Sequence, residues 1–161
     1  MTRQSPSQRL VAPIRLISIG GALAVRVCHN REASYDIDCM LDPNIAACLQ
    51  QGITVYEGTN LVIYAGCLSW VLERKMRRLA HADDRRKWKN VDLSDAAALV
   101  RLIKQTAGNA APLSFQYIRE LNLNGFDVPP TDASIQEVAD YYARVYGEWK
   151  YRGPQDEWIW C

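Results

Sequence analysis

Leu16-Ile-Ser-Ile-Gly-Gly-Ala-Leu-Ala24 and, seven residues further on, Arg31-Glu-Ala-Ser-Tyr-Asp36-Ile-Asp38 decide how this chain is read. The first stretch is a short apolar strand that delivers two glycines to the start of a helix. Without Cβ atoms, Gly20 and Gly21 let backbone approach an anion closely, and a helix N-terminus offers free N–H groups and a positive dipole end. The second stretch sets two carboxylates at i and i+2. On a strand, alternate residues face one side, which places Asp36 and Asp38 about 6–7 Å apart on one face. Oxygen ligands so spaced suit one or two Mg²⁺ ions, which are commonly shared with substrate phosphates. Each piece alone is ordinary: a diglycine often marks only a turn, and D-x-D often only a solvated strand edge. Their order is what carries meaning: strand, Gly-Gly, helix, basic residue, acidic strand.

Outward from this core the chain has 161 residues, 48% hydrophobic and 23% charged. Those proportions belong to an ordinary globular domain and exclude a disordered chain, a collagen-like fibre or a coiled coil. No apolar run approaches the roughly 18 residues of a spanning helix, so no membrane partner is expected. The five cysteines Cys28, Cys39, Cys48, Cys67 and Cys161 form no C-x-x-C pair. They read as small buried hydrophobes and one terminal thiol in a reducing compartment, the cytoplasm. Arg3, Arg9, Arg15 and Arg26 precede the first acid, Glu32, and Ser5, Ser7 and Ser18 lie among them. That composition also fits a mitochondrial address.

Residues 1–13 read as a loose lead-in, 14–66 as an α/β core, 67–147 as a helical region and 148–161 as an aromatic tail, all in one compact domain. Arg15–Ile19 is expected as a strand, Ala22–Cys28 as a short helix, Tyr35–Leu41 as a strand whose Ile37 and Cys39 form an apolar face, and Pro43–Gln50 as a short helical piece. Ile53–Tyr56 and Leu61–Tyr64 are β-type runs around the turn Glu57-Gly-Thr-Asn60. Leu68, Val71, Leu72, Met76 and Leu79 fall at helical spacing. Asp92 or Ser94 is expected to cap a second long helix after an irregular stretch at Arg85–Lys89. Ser114 begins a third helix ended by Gly125, and Thr131, Asp132 or Ser134 a fourth ended by Gly147. Strands first and helices after argue for α+β, a small mixed sheet followed by a C-terminal helical region.

The motif Ile19-Gly-Gly-Ala-Leu-Ala24 with Arg31-Glu-Ala-Ser-Tyr-Asp36-Ile-Asp38 resembles the nucleotidyltransferase-fold superfamily. The Gly-Gly variant resembles its antibiotic-modifying and abortive-infection-toxin branches, and in general texture the chain is similar to uncharacterised fungal proteins of this fold. The basic helix and Lys89-Asn-Val-Asp92-Leu-Ser-Asp95 resemble the downstream segment of the toxin-like members. The resemblance covers most of residues 14–147. It implies Mg²⁺-dependent transfer of a nucleoside monophosphate from an NTP to a hydroxyl on a protein, an RNA or a small molecule. Asp36 and Asp38 would hold Mg²⁺ as the catalytic pair. Gly20 and Gly21 would face the nucleotide phosphates, with Arg31 and Ser34 supporting that loop and Lys75 reaching the triphosphate. A third carboxylate would activate the acceptor, with Glu57 or Asp42 as candidates. The chain departs from the family in having only residues 42–52 after the D-x-D strand and Ala22 where a hydroxyl residue is usual. A non-catalytic copy of the fold, acting as a binding or interaction module, is the alternative.

Charge is uneven along the chain. Residues 73–90 hold eight basic and three acidic groups, whereas 91–161 hold six basic and ten acidic, and the formal total is +1. Arg74, Arg77, Arg78 and His81 share one helical face, and Arg85 and Arg86 follow near Trp88. This basic patch fits a solvated face, a triphosphate contact, or an RNA groove in which Trp88 stacks on a base. The tail, with Trp149, Tyr151, Trp158 and Trp160, fits docking on its own domain or a partner-binding patch. Neither histidine has a second ligand at metal spacing, so zinc is not expected.

Overall fold

The computed structural model describes residues 13–34, 37–40, 52–81, 86–106, 113–123, 125, 129–147, 150–152 and 158–160. The first strand, β1 (Ile14–Ser18), runs into a helical turn, α1 (Gly21–Leu23), which passes into a π-helical turn at Ala24–Cys28. The turn closes on His29 with φ +52°, a left-handed conformation that histidine tolerates better than most residues. Strand β2 (Cys39–Met40) pairs antiparallel with β1, and β4 (Leu61–Ala65) pairs parallel with it on the other side. Strand β3 (Thr54–Glu57) pairs antiparallel with β4 around the expected turn. The sheet is therefore mixed, in the order β2-β1-β4-β3.

Helices α2 (Leu68–Ala80), α3 (Arg86–Thr106) and α5 (Asp132–Tyr146) cover this sheet and one another, with a short α4 (Phe115–Arg119) between α3 and α5. The α2 positions at helical spacing, Leu68, Val71, Leu72 and Met76, are all essentially without solvent contact. They meet Leu99 and Val100 of α3, Ile118 of α4 and Ile135 and Val138 of α5 in one core. Each such side chain contributes roughly 1.5–3 kcal/mol by leaving water. A second small sheet, β5-β7-β6, joins β5 (Leu113–Ser114) to β7 (Trp158–Trp160) and β6 (Lys150–Arg152). The backbone of the aromatic tail thus pairs with its own domain. Among the described residues no helix is long and apolar enough to cross a membrane.

Three expectations are corrected. The second long helix begins at Arg86, so Arg86–Lys89 are helical and Asp92 and Ser94 lie inside the helix, not at its cap. Asp92 is engaged by Lys75 and Arg78, as described below, Ser94 Oγ accepts from Asn30 Nδ2 at 3.1 Å, and Arg and Lys sustain a helix there. The third helix is five residues long. Ser114 caps it by accepting from Tyr117 N–H, but the chain leaves it at Glu120 because the buried carboxylate of Glu73 accepts from Leu123 N–H at 2.6 Å. Of the strand expected over Tyr35–Leu41, the described residues 37–40 are strand only at Cys39–Met40. Ile37, expected on an apolar face, lies outside the strand and is 59% exposed. Tyr35, Asp36 and Leu41, the Pro43–Gln50 segment, and Cys48 and Cys161 lie outside the described residues.

Helix α5 agrees with its sequence signals. Thr131 Oγ1 accepts from Ser134 N–H, and Gly147, at φ +66°, closes the C-terminus in a conformation that disfavours a side chain. Replacing Thr131 with Ala should lower stability by about 1 kcal/mol, and the same change at Ser114 by no more than that. Urea unfolding of the two variants, with an unchanged slope against denaturant, checks this.

Candidate functional site

The site begins where β1 ends. Ile19 N–H donates to the Asp38 carbonyl at 3.0 Å, which sets Asp38 against the diglycine. A Cβ on Gly20 would collide with the Asp38 carboxylate and stand 2.7 Å from Asp38 Cβ; one on Gly21 would collide with Ser34 Oγ. Gly20 and Gly21 are thus needed for the close approach of Asp38 and Ser34. Gly21 is buried against Ser34 and so does not present open backbone to a ligand, as the sequence suggested it would, whereas Gly20 borders a cleft.

That cleft has a volume of about 490 Å³ and lies between the 37–39 segment and α2. Ile19, Gly20, Ile37, Asp38 and Cys39 form one wall, and Arg74, Lys75 and Arg78 form the other. Three consecutive residues, 37 to 39, line it, the last of them in β2. Three of the residues assigned to ligand binding from sequence, Gly20, Asp38 and Lys75, come together here, with Arg74 and Arg78 of the basic face.

Lys75 is not a free cation. The residue is 6% exposed, and its ammonium bonds Asp92 at 3.0 Å and Asp95 at 2.7 Å, both carboxylates standing on α3. Asp95 also receives Arg31 through Nε at 2.8 Å and through Nη2, and Asn30 Nδ2 at 3.0 Å. Asp92 receives Arg78 Nε at 3.1 Å. Three cations therefore share two buried carboxylates, leaving one positive charge, and on the cleft walls Arg74 adds a second that Asp38 offsets. Arg31 supports the loop by bonding across to α3, and its guanidinium is committed to Asp95.

The rest of the basic patch disperses. Arg77 turns inward to Glu73, which is fully buried, with Nε to Oε1 at 2.8 Å, and reaches Asn122 Oδ1 at 3.2 Å. The spacing of Glu73 and Arg77 at i and i+4 is the sequence signal for this pair. Arg86 has its backbone in α3, and Arg85 lies outside the described residues. Arg74 stacks on the Trp70 ring, 5.1 Å from its centroid.

Glu57 is far from this cleft. It sits on β3, the edge strand opposite β2, three strand spacings or roughly 14 Å across the sheet. Through the pairings Glu57–Val62 and Arg15–Val62 it is level with Arg15, about four residues or roughly 13 Å along β1 from Ile19, where Asp38 bonds. The sheet does not bring Glu57 to Asp38, and Asp36 and Asp42 lie outside the described residues. Among the described residues no group of three His, Cys, Asp or Glu side chains is placed to hold a metal. Asp38 facing Lys75 and Arg78 does fit a magnesium ion that takes one or two protein carboxylates and its other oxygens from phosphate.

Cys28 sits beside this network. Burial, and then the Asp95 carboxylate, push its thiol from 9.0 up to about 12, against the opposing influence of Lys75 and Arg31. Burial and the adjacent Asp38 push the Cys39 thiol up as well. Both are thiols at neutral pH, in line with their reading as small apolar side chains.

Two outcomes follow from these charges. Asp95→Ala should cost about 3–5 kcal/mol, because Lys75 and Arg31 lose a buried counter-charge. Arg119→Ala, which breaks a pair more than half exposed on both sides, should cost under about 1 kcal/mol; chemical denaturation separates the two. The folded chain holds the Cys28 proton more tightly than the unfolded chain. Its contribution to stability is thus complete below pH 9 and lost as pH rises toward 12. Stability measured from pH 8 to 11 should fall less steeply in Cys28→Ala. No protein-family model matches the chain, and searches of characterised proteins and of solved structures find none similar to it.

Proposed function

We propose that the chain is a nucleotidyltransferase-like protein whose cleft binds a nucleoside triphosphate with Mg²⁺. The observation that carries this reading is the meeting of Gly20, Asp38 and Lys75 in one cleft with Arg78. Lys75 has ammonium donors on Asp92 and Asp95, and this reading gives its remaining donor to a phosphate oxygen. Arg78, half exposed, reaches the ligand from the outer side of the same helix turn while its Nε stays on Asp92. Asp38, with Asp36, would hold the magnesium. Held there, the metal would supply charge neutralisation at the phosphoryl oxygens. In the active form of this reading a hydroxyl on an RNA, a protein or a small molecule gives up its proton and bonds to the α-phosphorus as the α–β phosphoanhydride breaks, and pyrophosphate leaves.

The position of Glu57 favours a second reading, a copy of the fold that binds nucleotide without transferring it. No third carboxylate among the described residues stands beside Asp38 to activate an acceptor. RNA binding along residues 74–89 has less support, because Arg77 is withdrawn from the basic face.

Calorimetric titration with ATP, with and without Mg²⁺, tests the shared core of both readings. Wild type should bind more tightly with Mg²⁺, and Asp38→Asn should lose that gain. Arg78→Ala should bind about tenfold or more weakly, the loss of one charge-assisted hydrogen bond. Equal affinities in wild type and Asp38→Asn at every Mg²⁺ concentration would remove the proposal. Transfer of label from α-labelled NTP separates the enzyme from the binding module.

A further inference from the structure

The cleft has an end that phosphate does not explain. Ile37 is 59% exposed on one wall, although it is a large aliphatic residue in a segment held by a main-chain hydrogen bond at its neighbour Asp38. Ile19 lines the same wall. On the other wall Arg74 is exposed, and its guanidinium lies over the Trp70 ring, 5.1 Å from the centroid. A guanidinium is planar and packs on flat groups through its faces, and Trp70 already lies against this one. An aliphatic surface and a guanidinium lining one cleft suit a planar ring, and rings stack on such groups with little dependence on their edge atoms. Lys75 and Arg78 adjoin it, one residue and one helical turn away, so a ring and a polyphosphate joined together span the cleft.

Resting on the reading of this cleft as a phosphate site, we infer that Ile37 and Arg74, the latter backed by Trp70, clamp the nucleobase of the bound nucleotide and read its area, not its hydrogen-bonding edge. The occupant is thus a nucleotide in preference to inorganic polyphosphate. Purines bind better than pyrimidines because they cover more of both walls, and adenine and guanine bind alike.

The experiment compares ATP, GTP, CTP and inorganic tripolyphosphate by calorimetry in the full chain with Mg²⁺ present. Wild type should bind ATP and GTP within about twofold of each other and roughly ten- to a hundredfold more tightly than tripolyphosphate, with CTP between. Ile37→Ser and Arg74→Lys, the second retaining charge but not the plane, should each shrink the ratio of ATP to tripolyphosphate affinity by about fivefold or more. Because both ligands report on the same folded cleft, the ratio is insensitive to a change in stability. Tripolyphosphate bound as tightly as ATP would assign the cleft to inorganic polyphosphate and overturn the clamp while the phosphate site stands. A ratio unchanged in both variants would overturn the clamp as well, and a tenfold preference of GTP over ATP, or the reverse, would overturn readout by area. Absence of binding by both ATP and tripolyphosphate in wild type would instead remove the phosphate reading beneath it.

Discussion

The sharing of Asp92 and Asp95 among Arg31, Lys75 and Arg78 is the interaction on which the arrangement around the cleft depends. Asp95 receives four hydrogen-bond donors from three residues and is almost wholly buried. Those residues come from two separate parts of the chain, the loop after the π-helical turn and the middle of α2. A buried carboxylate with that many donors holds its partners in one geometry, because any displacement leaves a charge without compensation in a low-dielectric surround. The loop and the Lys75 wall of the cleft are thereby referred to one point on α3. Around the cleft four cations, Arg31, Arg74, Lys75 and Arg78, meet three acids, Asp38, Asp92 and Asp95, which leaves one positive charge in surplus.

The elements set by local chemistry were legible without coordinates. The strand before Gly20, the hairpin around Glu57–Asn60, α2 with its apolar stripe, and α5 between Thr131 and Gly147 each follow from hydrophobic period or from a cap or turn residue. The start of α3 was not legible. Asp92 and Ser94 have the side chains of caps, and only long-range partners reveal that Asp92 faces inward to Lys75 and Arg78. The early end of α4 has the same cause, since Glu73, fifty residues away, takes the Leu123 amide.

The site divides in the same way. Gly20 and Asp38 could be named from the order of strand, diglycine and acidic segment, and Lys75 from the family resemblance, and they do share a cleft. The detail of their roles could not. The diglycine reads locally as open backbone, whereas its lack of side chains is used to admit Ser34 and Asp38. Arg77 reads as part of a basic face, yet its i, i+4 relation to Glu73 takes it inside. Glu57 carries the right functional group, but strand order, which no local pattern encodes, sends it to the far edge of the sheet.

The π-helical turn at Ala24–Cys28 sets the phase of all that follows it. Each residue of an ordinary helix advances the chain by about 100°, and a wider turn holds one residue more than an α-helical turn would. The same residues wound as an ordinary α-helix would carry Asn30 and Arg31 roughly 100° further round, away from Asp95. The wide turn absorbs that extra residue, and in doing so it keeps Asn30 and Arg31 on the charge network.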